Sequence, residues 1–201
     1  MQRSRRQVQR RLALLAETAV RKSADPSRRK CFVSYHSDDE NEVAAFLESF
    51  GHVFIPRVIG LSEEDDFIGS SNTDYVMDAI RENYLADSTV TIALLGRCTW
   101  SRQFVDWEAY STLRNDKLNR RSGLMAINLQ SIANDYAGRV PARVNDNVKG
   151  TDGTEGYARW WVYPSTAEIL RSWIEIAYEA RSSRGNLIVN GRARMTANLP
   201  C

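Results

Sequence analysis

Apolar and polar residues change period several times along this chain, and each change marks an element. In SRRQVQRRLALLAETAVRKSA the apolar positions Val8, Leu12, Leu15 and Ala19 recur at steps of three and four, the mark of one helical face among arginines. Asp25-Pro26-Ser27 breaks that pattern. Cys31 to Tyr35 (CFVSY) is a short β-rich run. The polar turn after it leads into a helix over about 39–50, with Val43, Phe46, Leu47 and Phe50 on its apolar face and Gly51 at its end. HVFIPRVIG reads as a second strand; Pro56 inside it has no N–H to donate, which predicts a sheet edge.

LSEEDDFIGSSN is a loop, and Asn72 or Thr73 caps a helix over TDYVMDAIRENYLAD. STVTIALLG, β-branched and uncharged, is the strongest strand pattern and predicts a central position. A helix from Ser101 to about Asn115 follows, then a buried strand at GLMAINL and a last one at RWWVYP. Between those two strands, residues 131–156 are rich in Gly, Asn and Asp and show no period, so they read as a long loop. Ser165-Thr166-Ala167-Glu168 reads as a capping box opening a closing helix that buries Ile169, Leu170, Trp173, Ile174 and Ala177. From about residue 183 the chain reads as an irregular tail, and there are no internal repeats.

Strands alternating with helices predict an α/β fold: a mainly parallel, five-stranded, doubly wound sheet of flavodoxin type, covered on both faces. An edge position for the second strand fits the order 2-1-3-4-5. In that order the carboxyl ends of the first and third strands flank the switch point at which such sheets bind ligands. Those ends are Ser34-Tyr35-His36 and Leu95-Gly96-Arg97. The organisation expected is a basic helical arm and linker over 1–29, one domain over 30–184, and a tail over 185–201.

Composition narrows the function. The 201 residues are 43% hydrophobic, enough for a sizeable core, and no apolar run approaches the roughly 18 residues of a membrane span. There is no apolar leader with a small-residue cleavage site, so a cytoplasmic protein is expected, with no membrane partner. The net charge of +2 conceals an asymmetry. Residues 1–30 carry ten Lys/Arg against Glu17 and Asp25, net +8; the rest carry 17 against 23, net −6. The basic character belongs to the arm, which reads as a helix docked on its own domain or on a second subunit, or as a solvated tail; nucleic-acid and membrane binding are the weaker readings. Cys31, Cys98 and Cys201 lack any CxxC or Cys/His pairing. Two read as small buried apolar residues and the third as a tail thiol in a reducing compartment. With two histidines in the chain, no metal site is expected.

The candidate chemistry lies in GRCTWSRQFVDWEAYSTL, residues 96–113. At about 100° per residue, with Val105 as origin, Ala109, Thr112 and Leu113 form the core stripe. Glu108 falls at about −60°, beside Ser101 at about −40°, at the edge of the buried face. Two readings stand. Glu108 anchors the helix through hydrogen bonds to an arginine or to backbone amides, or it is a catalytic carboxylate whose pKa is tuned by a partly apolar cleft.

CFVSYHSDDE, DSTVTIALLG and SRQFVDWEAY resemble the first strand, central strand and catalytic helix of TIR domains. The chain is similar above all to the TIR-like branch found in the bacterial Thoeris anti-phage system, over about residues 30–180. That resemblance implies an enzyme cleaving the nicotinamide–ribose bond of NAD⁺, as substrate and without a further cofactor, with Glu108 as the catalytic glutamate. It also implies an ADP-ribose-derived product, often cyclic, that activates a downstream effector protein, and self-association of the TIR-like domain. Ser34, Tyr35, His36, Phe67, Ser70, Asn72, Thr73, Trp100, Ser101 and Trp107 are the candidate substrate-binding residues, and Arg81 and Arg102 candidates for phosphate. Phe104 and Val105 stand where many TIR domains have Trp and Cys, and the 60–75 loop lacks their usual Arg-Asp/Pro-Gly character. Competing readings are a non-catalytic TIR scaffold acting by TIR–TIR association, a nucleoside deoxyribosyltransferase-like enzyme, and a nucleic-acid binder using the arm. A phosphorelay receiver is poorer still, because the central strand ends in Leu95-Gly96-Arg97 rather than Asp.

Overall fold

The computed structural model describes residues 2–21, 27–59, 72–117, 120–133, 139–149 and 155–201. Helix α1 (Gln2–Arg21) precedes β1 (Lys30–Ser34), α2 (Glu40–Phe50), β2 (Ile55–Val58), α3 (Thr73–Ile80), β3 (Val90–Leu95) and α4 (Gln103–Thr112). Then come β4 (Gly123–Asn128), α5 (Ala142–Val148), β5 (Arg159–Trp161) and α6 (Ala167–Ser183). The five strands form one sheet in the order β2-β1-β3-β4-β5, every pairing parallel. This is the flavodoxin-like arrangement expected from the alternating pattern.

Strand parity assigns the faces. Cys31 and Val33 of β1 and Val90, Ile92 and Leu94 of β3 point to one side, where α1, α2 and α6 close the core. Phe32 of β1 and Ala93 and Leu95 of β3 point to the other, under α3, α4 and α5. Ser34 shares the parity of Phe32, so the last side chain of β1 faces α4. β2 is an edge strand, as Pro56 predicts. Ile55 N–H donates to Arg29 O, so the neighbouring position, which lacks an N–H, faces away from β1.

The arm docks on its own domain. Leu12, Ala16 and Ala19 are buried, and Val8 and Leu15 pack against the core beside α2 and β2. Arg28 closes the helix end: its guanidinium, itself buried, donates to Ala19 O at 2.7 Å, Val20 O at 3.3 Å and Phe54 O at 3.2 Å. A cation at a helix C-terminus satisfies carbonyls that otherwise lack partners and opposes the negative end of the dipole.

Several expectations need correction. The 131–156 segment contains α5, whose Val144 is buried between Val140 and Val148. Those three valines recur every fourth residue, but Asn and Asp between them and a length of two turns hide the pattern. The closing helix is capped by Thr166, whose hydroxyl accepts from Ile169 N–H, one residue later than the expected box. Its buried face is Leu170, Ile174, Ala177 and Ala180, while Ile169 is exposed and Trp173 half-buried, stacked 4.9 Å from Trp161. The cysteine reading holds for Cys31 alone, which is fully buried, with burial raising its thiol pKa well above the ordinary range. Cys98 and Cys201, 103 residues apart, form a disulfide. No short spacing announces a pair that only the return of the tail across α4 brings together.

Candidate functional site at the carboxyl end of the sheet

Glu108 sits on α4, one turn and a half from its start, and is 7% exposed. Ser34, at the end of β1, donates its hydroxyl proton to Glu108 Oε2 at 2.5 Å. Strand parity and the switch-point geometry thus join two candidates 74 residues apart. Burial lifts the Glu108 pKa from its ordinary 4.5 to about 8, because the charged form loses water, and the single Ser34 bond offsets only part of this. The stability consequence has a definite sign. Below pH 4.5 the carboxyl is neutral in both folded and unfolded chains. As pH rises toward 8 the unfolded chain ionises first, so the fold loses stability across that window, up to a few kcal/mol.

Glu108 opens onto a cavity of about 280 Å³. Val33, Tyr35, His36 and Ser37 line it from the end of β1, Glu40 from α2, Ile80 from α3, and Arg102, Phe104 and Val105 from the start of α4. Gln9 of the arm and Asn198 of the tail complete the wall. His36 Nε2 lies 3.2 Å from Asp38 Oδ2. Among the described residues, Arg102 Nε is buried without a hydrogen-bond partner. After the third strand, Gly96 N–H donates to Thr99 Oγ1, which donates to Asp39 Oδ2. A Cβ at Gly96 would collide with that carboxylate, so any larger residue here would displace the Asp39 side chain.

The other candidates are distributed as follows. Tyr35 and His36 line the cavity, and Ser34 reaches it through Glu108. Trp107 does not line the cavity; it is buried with Phe32, Val76, Met77 and Ile80, its indole N–H donating to Met195 O at 2.9 Å. Ser101 is fully buried and donates to Cys98 O. Trp100 lines a separate depression, with the Arg139 guanidinium 4.5 Å from its ring centre. Asn72 caps α3 by accepting from Tyr75 N–H and stands exposed. Phe67 and Ser70 lie outside the described residues, as does the side chain of Thr73. Arg81 is buried in ion pairs with Asp78 and Asp116.

Sequence reasoning missed Gln9, Ser37, Glu40 and Asn198, because their own segments give no signal of a cavity. It also missed the pair behind them: Asp106 and Arg143, both buried, joined at 2.9 Å. Arg143 lies in the unpatterned segment, and a charged residue there reads as solvated. Larger depressions exist, of about 630 Å³ at the amino end of the sheet and about 720 Å³ beside Trp100. Neither contains Glu108. Among the described residues no group of three His, Cys, Asp or Glu is placed to hold a metal ion, and no helix is long and apolar enough to cross a membrane.

With that geometry in hand, the chain can be set beside known proteins. The family model described as Thoeris protein ThsB, TIR-like domain, matches residues 32–134, a span that runs from within β1 through β4 and includes Glu108. No curated protein matches the chain.

Proposed function

The chain belongs to the TIR-like family of Thoeris protein ThsB, and on that premise we propose that it cleaves the nicotinamide–ribose bond of NAD⁺ with Glu108 as the catalytic carboxylate. The supporting observation is a glutamate, buried and bonded to Ser34, facing a cavity at the carboxyl end of the sheet. The reaction suits a single carboxylate. When the C1′–N1 bond breaks, its electron pair goes to the pyridine nitrogen and nicotinamide leaves neutral, so no general acid is needed. The ribose is left as an oxocarbenium-like cation, as in glycoside cleavage, and a fixed negative charge beside C1′ stabilises it.

Ser34 holds the carboxylate in one orientation through Oε2. The cavity suits the nicotinamide–ribose end of the dinucleotide rather than its whole length, and Arg102 at its wall supplies a cation for the diphosphate. The cationic nicotinamide ring, brought against a neutral Glu108, drives the carboxyl to its charged form. Capture of the cation by water gives ADP-ribose, and capture by a nucleophile within the same molecule gives a cyclic product. In this reading the product is a diffusible signal that activates a partner effector in anti-phage defence.

The test is mass spectrometry of nucleotides after incubating NAD⁺ with wild type and with Glu108→Gln, each with and without extract of phage-infected cells. Nicotinamide and an ADP-ribose species are expected from wild type, and about 10²–10³-fold less from the variant. For wild type, kcat/KM should rise with pH, since the ionised carboxylate is the working form, and level off above about 8. Absence of turnover under every condition favours a scaffold in which Glu108 anchors α4. Equal turnover by both proteins removes Glu108 from the reaction.

A further inference from the structure

From Asn190 onward, the chain after α6 is bound to the helix that carries Glu108 and to α5. Asn190 Nδ2 donates to Tyr110 O at 3.0 Å, and Arg143 Nη2, held by Asp106, donates to Ala193 O at 3.2 Å. Met195 N–H donates to Asp106 Oδ2 at 2.9 Å, and Met195 O accepts from the Trp107 indole and from Gln103 Nε2. Leu199 N–H donates to Ser101 O at 2.9 Å, and the Cys201–Cys98 disulfide ties the last residue to the turn before α4.

Asn198 has a particular place in this strap. Arg102, at the N-cap position of α4, gives no side-chain cap, and the first-turn N–H groups of a helix have no partner within it. Asn198 Oδ1 accepts from Gln103 N–H at 2.9 Å, so the cap comes from 95 residues away. The same residue lines the Glu108 cavity. On its other side the strap borders the 720 Å³ depression beside Trp100. Residues 196–201 are all exposed, so hydrogen bonds and the disulfide hold them, rather than apolar burial.

We propose that residues 196–201 are a latched wall of the Glu108 cavity: the Cys98–Cys201 disulfide keeps Asn198 on the first turn of α4, and Asn198 is a positioning residue for Glu108. The catalytic meaning of that positioning rests on the NAD⁺ reading above; the latch itself does not. Cys201 is exposed and Cys98 half-buried, open to a dithiol reductant. A thiolate of the dithiol attacks one sulfur and the other leaves as a thiol. The second thiol of the reductant then attacks the reductant's own sulfur in the mixed disulfide, and the second cysteine leaves. Two electrons pass, two cysteine thiols remain, and the reductant ends as its own disulfide. Without the latch, the bonds of Asn198 to Gln103 and of Leu199 to Ser101 are what hold this segment among the described residues, and the wall opens.

The test uses the full chain oxidised, reduced with excess dithiothreitol, and as Cys201→Ser, Asn198→Ala and Asn198→Asp. Amide exchange over 98–110 by mass spectrometry reads whether the strap is docked. A ¹³C-carboxyl titration of Glu108 reads whether the wall acts on the carboxyl, with His36, Glu40 and Arg102 as the other ionisable groups in the cavity wall. Neither readout needs turnover. Reduction, Cys201→Ser and Asn198→Ala are each expected to speed exchange at the start of α4 about tenfold and to move the Glu108 midpoint from near 8 toward 4.5. Asn198→Asp keeps an acceptor for Gln103 N–H and should hold wild-type exchange. Unchanged exchange on reduction overturns the latch, and faster exchange with an unmoved midpoint overturns the positioning role. If both move and no form releases nicotinamide, the latch and the wall stand while the NAD⁺ reading falls.

Discussion

The two ends of the chain reach the same cavity by opposite physics. The arm lays an apolar stripe against α2 and β2, and Gln9 arrives at the cavity as a neighbour of that stripe. Around Asn198 the tail buries nothing, residues 196–201 being all exposed. Asn198 arrives through hydrogen bonds to α4 and α5, a buried ion pair and a disulfide. Hydrophobic docking is non-directional and tolerates sliding; a polar strap has one geometry or none. The arm is therefore suited to stabilise the domain, and the strap to set the position of one helix turn.

Removing each device in turn separates these roles. Arg143→Ala should have the largest effect, because Asp106 is left buried and charged with its ion-pair partner gone and Ala193 O loses its donor. A loss of about 3–5 kcal/mol is expected by urea unfolding, with the strap undocked in the remaining folded protein. Leu12→Ala should cost about 2–5 kcal/mol, toward the lower part of that range if the arm slides to refill the space, and should leave exchange at the start of α4 unchanged. If Leu12→Ala undocked the strap as well, the two ends would be one cooperative unit and the contrast would fail. Gln9→Ala is the smallest change. Thermal unfolding should place it within about 0.5 kcal/mol of wild type, since the helix face remains in place.

The same contrast explains what could be read from the sequence. Val8, Leu12, Leu15 and Ala19 announce a helix face because burial repeats with the helical period, and β3 shows itself by six consecutive buried residues. Pro56 marked the sheet edge, since a missing donor has meaning wherever it lies. Glu108 could be placed at the rim of a buried face from angles alone, and the ends of β1 and β3 at the switch point from strand order. Its bond to Ser34 required the parity of β1 and the seat of α4 together. Polar docking has no such period. Asp106, Arg143, Asn147 and Asn198 are spread over three segments and look like solvated residues until the fold gathers them. Cys98 and Cys201 carry no local sign of their partnership for the same reason.

The outward side of β2 has a consequence for how copies of this chain meet. Its strand is four residues long, one of its outward positions has no donor because of Pro56, and α1 packs on the strand. A strand from another copy that sought to extend the sheet there would find a gap in the ladder and a helix beside it. While the arm is docked, growth of the sheet across that border is disfavoured, which leaves β5 as the other edge of the sheet. An arm that lets go changes the rules of assembly as well as the shape of the cavity.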